Sequence, residues 1–135
     1  MSILNTTKAG LGLAEDDTAF DVELTMFVNS VLSRLSQLGV GPREGFFITG
    51  PNETWETFLG DNHVLLNNAK SYMVTRVKMM FDPPEIGFVL TAMKEAIEKD
   101  EMLLNITVED YEAATEDLPV TEDPLVLLEP VQEPI

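Results

Sequence analysis

The 135-residue chain has no cysteine. That absence excludes disulfides, thiolate zinc sites and thiol nucleophiles, and it leaves the redox compartment unmarked. Basic residues are scarce: eight lysines and arginines stand against twenty-four acids, a formal charge of −16. Like charge at this density opposes non-specific attachment to nucleic acid and to anionic membranes. Long apolar runs are missing as well. Nothing approaches the roughly eighteen residues of a membrane span, and the N-terminus lacks the basic-then-apolar order of a signal peptide. The expectation is a soluble protein made in the cytoplasm, with no membrane partner.

Chemical signatures are equally absent. The chain holds no H-E-x-x-H, no Walker loop and no G-x-S-x-G. Gly10-Leu11-Gly12 does not extend into a dinucleotide fingerprint, because Glu15 occupies the third glycine's place and no strand precedes it. Glu15 to Asp21 lacks the alternating oxygen ligands and the glycine of a calcium loop. The single histidine, His63, has no second histidine or ligand-spaced carboxylate nearby, so a surface position is expected for it. The reading is a non-enzyme without cofactor or metal.

What is present is helical periodicity, on a length suited to one domain. The fold class expected is mainly α: a small helical bundle with a short hairpin or ordered loop and an extended C-terminal tail. Acid is unevenly spread. Residues 1–105 hold fifteen acids and eight bases (−7), whereas residues 106–135 hold nine acids and no base (−9). Four of the eight prolines, Pro119, Pro124, Pro130 and Pro134, also fall there and exclude a continuous helix. Three parts follow: a mobile or partner-ordered arm over residues 1–15, a helical domain over 16–105, and an acidic, proline-containing tail over 106–135.

The first clear helix is expected from about Thr18 to Leu38, opened by Asp17 or by a Thr18-x-x-Asp21 capping box and closed by Gly39. Phe20, Leu24, Phe27, Val28, Val31, Leu35 and Leu38 recur at steps of three and four and mark its core face. Val22, Met26 and Leu32 widen the apolar surface beyond what one packing partner needs, and a subunit contact is one explanation. Phe46-Phe47-Ile48 and Thr49-Gly50-Pro51-Asn52 read as a short strand and a turn, in a hairpin or an ordered loop. Thr54 to Leu59 makes a helical turn or two, with Trp55 as the anchor of this loop. Asp61 or Asn62 caps the next helix, whose buried stripe is Leu65, Ala69, Tyr72, Met73, Val77 and Met80. Arg76 lies beside Tyr72 and Met80 on that helix. It is a candidate to cross a subunit boundary, although a solvated or locally paired arginine is the commoner outcome.

At Asp82-Pro83-Pro84-Glu85 the helix must stop, since consecutive prolines lack N–H donors and restrict the residues before them. Asp82 as N-cap, Pro83 at the first position, Glu85 three residues after the cap and a Phe81–Ile86 staple predict an immediate restart. The second arm carries Ile86, Leu90, Met93, Ile97 and Leu104 and fades near Asn105, beyond which Ile106 to Glu116 is a short strand or a frayed turn. In the tail, Leu125-Val126-Leu127-Leu128 lies between Pro124 and Pro130, rimmed by Glu122, Asp123 and Glu129. An extended apolar tetrapeptide of this kind can add to a sheet edge or lie in a groove of another chain, against the alternative, on composition, of a disordered acidic tail in the free protein.

Together, Phe20-Asp21-x-Glu23-Leu24 with Asn29, Gln37-Leu38-Gly39-Val40-Gly41-Pro42, Thr54-Trp55-x-x-Phe58-Leu59, and Lys70-x-Tyr72 leading to Val77 and Phe81-Asp82-Pro83-Pro84 resemble one family. It is the head-tail connector, or adaptor, family of tailed double-stranded DNA bacteriophages, and the resemblance covers roughly residues 15–105. It implies a non-catalytic virion protein at the head–tail interface, made in the host cytoplasm. It implies further a homo-oligomer, a dodecameric ring beneath the portal protein. That ring extends the DNA channel, through which DNA passes without specific binding, and docks the next neck or tail protein, a stopper or tail terminator. The candidate interface residues are Leu125, Val126, Leu127, Leu128 and Val131 for the portal or a neighbouring adaptor, Phe46, Phe47 and Trp55 for the next ring, and Arg76.

The competing expectation is an acidic regulatory binder, a DNA mimic that occupies a basic cleft on a host nucleic-acid enzyme. Net charge favours it. The distribution opposes it, because −9 of the −16 lies on the tail and not on a rigid body that could imitate phosphate spacing.

Overall fold

The computed structural model describes residues 1–60 and 62–116, the last six of them as backbone only. Five helices follow in order: α1 (Ile3–Gly10), α2 (Asp21–Gln37), α3 (Trp55–Leu59), α4 (His63–Phe81) and α5 (Gly87–Glu116). The mainly α class expected from periodicity is the class observed. Helix α4 is the centre of the bundle and touches all four others. Its stripe of Leu65, Ala69, Tyr72, Met73 and Val77 is buried as the spacing predicts, while Met80 reaches the surface.

Residues 1–15, read from sequence as an arm, depart from that reading. Ser2 caps α1 with its hydroxyl, which accepts the Asn5 N–H at 3.2 Å, and Ile3 and Leu4 are fully buried in the core. The apolar period is hidden because the next two inward positions are Thr7 and Lys8, both buried. Each is satisfied locally. Thr7 Oγ1 donates to the Ile3 carbonyl at 2.9 Å, and Lys8 Nζ donates to the Glu15 carbonyl and to Asp21 Oδ1, each at 2.9 Å. Partnering of this kind is what allows a lysine to be buried at all. The same ion pair corrects the expected capping box on α2: Asp21 is spent on Lys8, and the helix starts after Phe20 with no side-chain cap.

On α2, Leu24, Val28, Val31 and Leu35 face the core, and Leu32, expected outside the stripe, is buried with them. Gly39 (φ +87°) ends the helix in the left-handed region, and Gly41 repeats it at φ +91°. Gly41 is doubly constrained, since a Cβ there would collide with the ring of Phe58. Residues 42–54 form an ordered loop, the second of the two alternatives for this stretch, and the Phe46–Ile48 strand is not formed. A single antiparallel bridge joins Ser2 and Thr54 instead, flanked by Ile3 N–H to the Glu53 carbonyl and Trp55 N–H to the Met1 carbonyl.

The proline corner stops α4 at Phe81 but does not restart the chain at Pro83. Asp82 closes α4, its N–H bonded to the Lys78 carbonyl at 2.8 Å, and α5 begins only at Gly87. The reason is steric: Asp82 and Pro83 each precede a proline, and that position disfavours helical backbone. The staple is absent too. Ile86 is exposed, and the Phe81 ring meets Phe20 edge-on at 5.2 Å. Helix α5 then runs antiparallel to α4, burying Leu104 and Val108, and continues through the expected boundary at Asn105 to Glu116.

Candidate functional site

Two kinds of feature are candidates for function in this bundle: a polar junction that fixes three helices, and apolar side chains left facing water. The junction is built on Glu101 of α5. Arg34 of α2 donates to it from Nε at 3.3 Å and from Nη2 at 2.9 Å, a two-pronged contact. From α4, the Tyr72 hydroxyl donates at 2.6 Å and Arg76 Nη1 at 3.3 Å, while Arg76 Nη1 also donates to the Tyr72 oxygen at 2.8 Å. Arg76, a candidate for crossing a subunit boundary, is thus locally paired and half-buried.

Charge and burial shape the titration here. The Arg34 hydrogen bond, reinforced by Tyr72 and Arg76, holds the Glu101 carboxyl below its usual range against the opposing effect of burial. Burial, with help from the Glu101 carboxylate, pushes the Tyr72 phenol up to about 12. Each group therefore keeps one protonation state across neutral pH. The set carries no proton-transfer chemistry; it locks α2, α4 and α5 at fixed angles.

Sequence periodicity passes over Glu101, although a signal exists. The α5 stripe has a gap of seven between Ile97 and Leu104, and Glu101 stands inside it at steps of four and three. A carboxylate on an inward stripe demands a cation, and Arg34 and Arg76 supply it.

The loop candidates separate by burial. Trp55 is fully enclosed and Phe46 is half-buried against Phe58 at 5.2 Å, so both hold the loop in place. Phe47 is 67% exposed. Asn29 of α2 fixes that arrangement by accepting the Ile48 N–H at 2.7 Å and donating to the Ile48 carbonyl at 2.9 Å, in the manner of a neighbouring strand. Ile48 is thereby anchored inward and its neighbour Phe47 is presented to solvent. Leu125, Val126, Leu127, Leu128 and Val131 lie outside the described residues.

Apolar exposure continues on the helices. Val22 (80%) and Met26 (67%) stand one turn apart on α2, whereas Phe88 (75%) and Met102 (57%) lie about four turns apart on α5. Among the described residues no group of three or more histidine, aspartate or glutamate side chains is placed to hold a metal ion, and no helix is long and apolar enough to cross a membrane.

A helical core locked by a polar junction, with its apolar excess turned outward, has the build of an assembly subunit, and the family comparison decides which. The family described as phage connector protein matches residues 3–111. This chain belongs to the phage connector family. The match takes in α1 and reaches past Asn105 along α5, so both departures from the expected 15–105 core belong to the family's own extent. No curated protein and no solved structure matches this connector. Its role is structural, at the junction of phage head and tail.

Proposed function

We propose that this connector assembles as a ring, dodecameric as the family resemblance implies, beneath the portal protein. There it extends the DNA channel and docks the next neck or tail component. The observation that carries the proposal is the pair of exposed apolar sets on different helices, Val22 and Met26 on α2 and Phe88 and Met102 on α5. A closed ring is built by head-to-tail contacts, which require two distinct complementary patches on one subunit. The net charge of −16 suits a channel through which DNA slides without adhering.

Further contacts are assigned on the same footing. Exposed Phe47, held out by Phe46 and Trp55, meets the next ring; residues 125–128 and Val131 reach the portal or a neighbouring connector; the outer side of Arg76 borders the lateral contact. No catalytic step is assigned. The test is mass determination by light scattering of the purified chain, alone and mixed with its portal, followed by imaging of the mixture. A ring in register with the portal is the expected result. A monomer that ignores the portal and instead binds a basic nucleic-acid enzyme overturns the proposal in favour of the DNA mimic.

A further inference from the structure

Beside the α4–α5 pair lies a cavity of about 740 Å3. That volume is in the range of ligand-binding sites, roughly 300–1,000 Å3. Its walls are mainly apolar and come from four parts of the fold: Pro42 after α2, Phe58 and Leu59 of α3, Val64 and Leu65 at the start of α4, and Val108 of α5, with Asn62 and His63 as the polar side chains. Among the described residues no carboxylate lines it. Val64, at its mouth, is 69% exposed.

We propose that this cavity is the docking site for the segment Leu125–Leu128 of the same chain. Reach is the first argument. Helix α5 carries Val108 in the cavity wall, is described to Glu116, and is followed by nineteen residues. The eight residues from 109 to 116 advance about 12 Å along the helix, and the eight from 117 to 124 span up to about 26 Å when extended. The linker is therefore long enough to bring the segment back to the cavity mouth.

Shape and charge agree with reach. Pro124 and Pro130 favour extended backbone on either side, and four extended residues cover about 13 Å with side chains alternating between the two faces. Glu122, Asp123 and Glu129 flank the apolar tetrapeptide. The first turn of α4, which forms one rim, has no acidic residue and presents the positive end of the helix dipole. An acid-rimmed apolar strip thus meets a mainly apolar cavity with the partial positive charge of the α4 N-terminus at its edge. This docking stands whether or not the subunits form rings. Its consequence for assembly rests on the proposed function: a segment seated in its own subunit is withheld from the portal until the portal displaces it.

The absence of native cysteine makes the test direct. In the full-length chain carrying Val64→Cys and Leu127→Cys, at dilute concentration, the intramolecular disulfide is expected to form about tenfold or more faster than in a Val22→Cys, Leu127→Cys control. Val22 is exposed and lies about 24 Å along α2 from Leu38, next to the cavity's Gly39. Equal rates in the two pairs overturn the proposal. A disulfide between two chains overturns it as well and gives the cavity to a second copy. Independently, Leu125→Asp, Leu127→Asp in the full chain is expected to cause loss of amide-exchange protection in the first turn of α4; unchanged protection contradicts the docking.

Discussion

Glu101 takes charge-assisted hydrogen bonds from Arg34 and Arg76 and a short one from the Tyr72 hydroxyl, so one carboxylate joins α2, α4 and α5. Glu101→Gln keeps the shape and removes the charge. It is expected to lower unfolding stability at pH 7 by about 1–2 kcal/mol, the range for hydrogen bonds to charged groups discounted for partial exposure. The pH dependence follows from the depressed carboxyl. The folded state binds that proton more weakly than the unfolded chain, so the stabilisation is present above the ordinary value of 4.5 and is lost as pH falls through the lower folded value. Urea unfolding from pH 7 to 3 should therefore show wild type and variant converging in acid. A gap that persists at full size to pH 3 would assign the effect to packing. At the alkaline end, the raised Tyr72 phenol contributes below its ordinary 10.0, and that contribution fades as pH approaches 12.

Among the elements, α1 carries the sharpest structural claim, because it turns an apparent arm into core. Leu4→Ala is expected to cost about 2–5 kcal/mol in urea or thermal unfolding, the range for truncating a buried leucine. A change within about 0.5 kcal/mol, as on a surface arm, contradicts the burial. The faces of α2 and α4 are legible in sequence because their inward residues are apolar at helical spacing. Helix α1 is not, because Thr7 and Lys8 occupy inward positions and their partners, the Ile3 carbonyl and Asp21, are known only after folding. The same holds for Glu101, whose cations come from other helices. The length of α5 is obscured by charge, since Glu109, Asp110, Glu112 and Glu116 have the composition of an acidic tail. Glutamate is nonetheless a good helix former, and no proline intervenes before Pro119. Of the candidate surface residues, Phe47 and the apolar excess of α2 could be named from sequence, whereas Phe88 and Met102 on α5 are visible only once the inward face of that helix is fixed.

At the scale of the whole molecule, the head-to-tail arrangement makes a claim stronger than oligomerisation alone. Met26→Asp and Phe88→Asp alter exposed side chains on α2 and α5, so each should fold with stability within about 0.5 kcal/mol of wild type. Each should fail to form rings, because a charge buried in an apolar contact is costly. The two variants spoil opposite halves of the same contact. Mixed together, the intact α5 face of the Met26→Asp chain can meet the intact α2 face of the Phe88→Asp chain, giving a dimer that cannot extend. Light scattering of the mixture should show that dimer, with each variant monomeric alone. Salt should act in a defined direction too. Subunits of charge −16 repel one another, and the screening length falls from about 30 Å at 0.01 M to about 8 Å at 0.15 M. Wild-type assembly should therefore strengthen as salt is added, because apolar contact is retained while repulsion is screened. If either variant forms rings by itself, or if the mixture grows beyond the dimer, the α2 and α5 faces are not the two halves of the lateral contact.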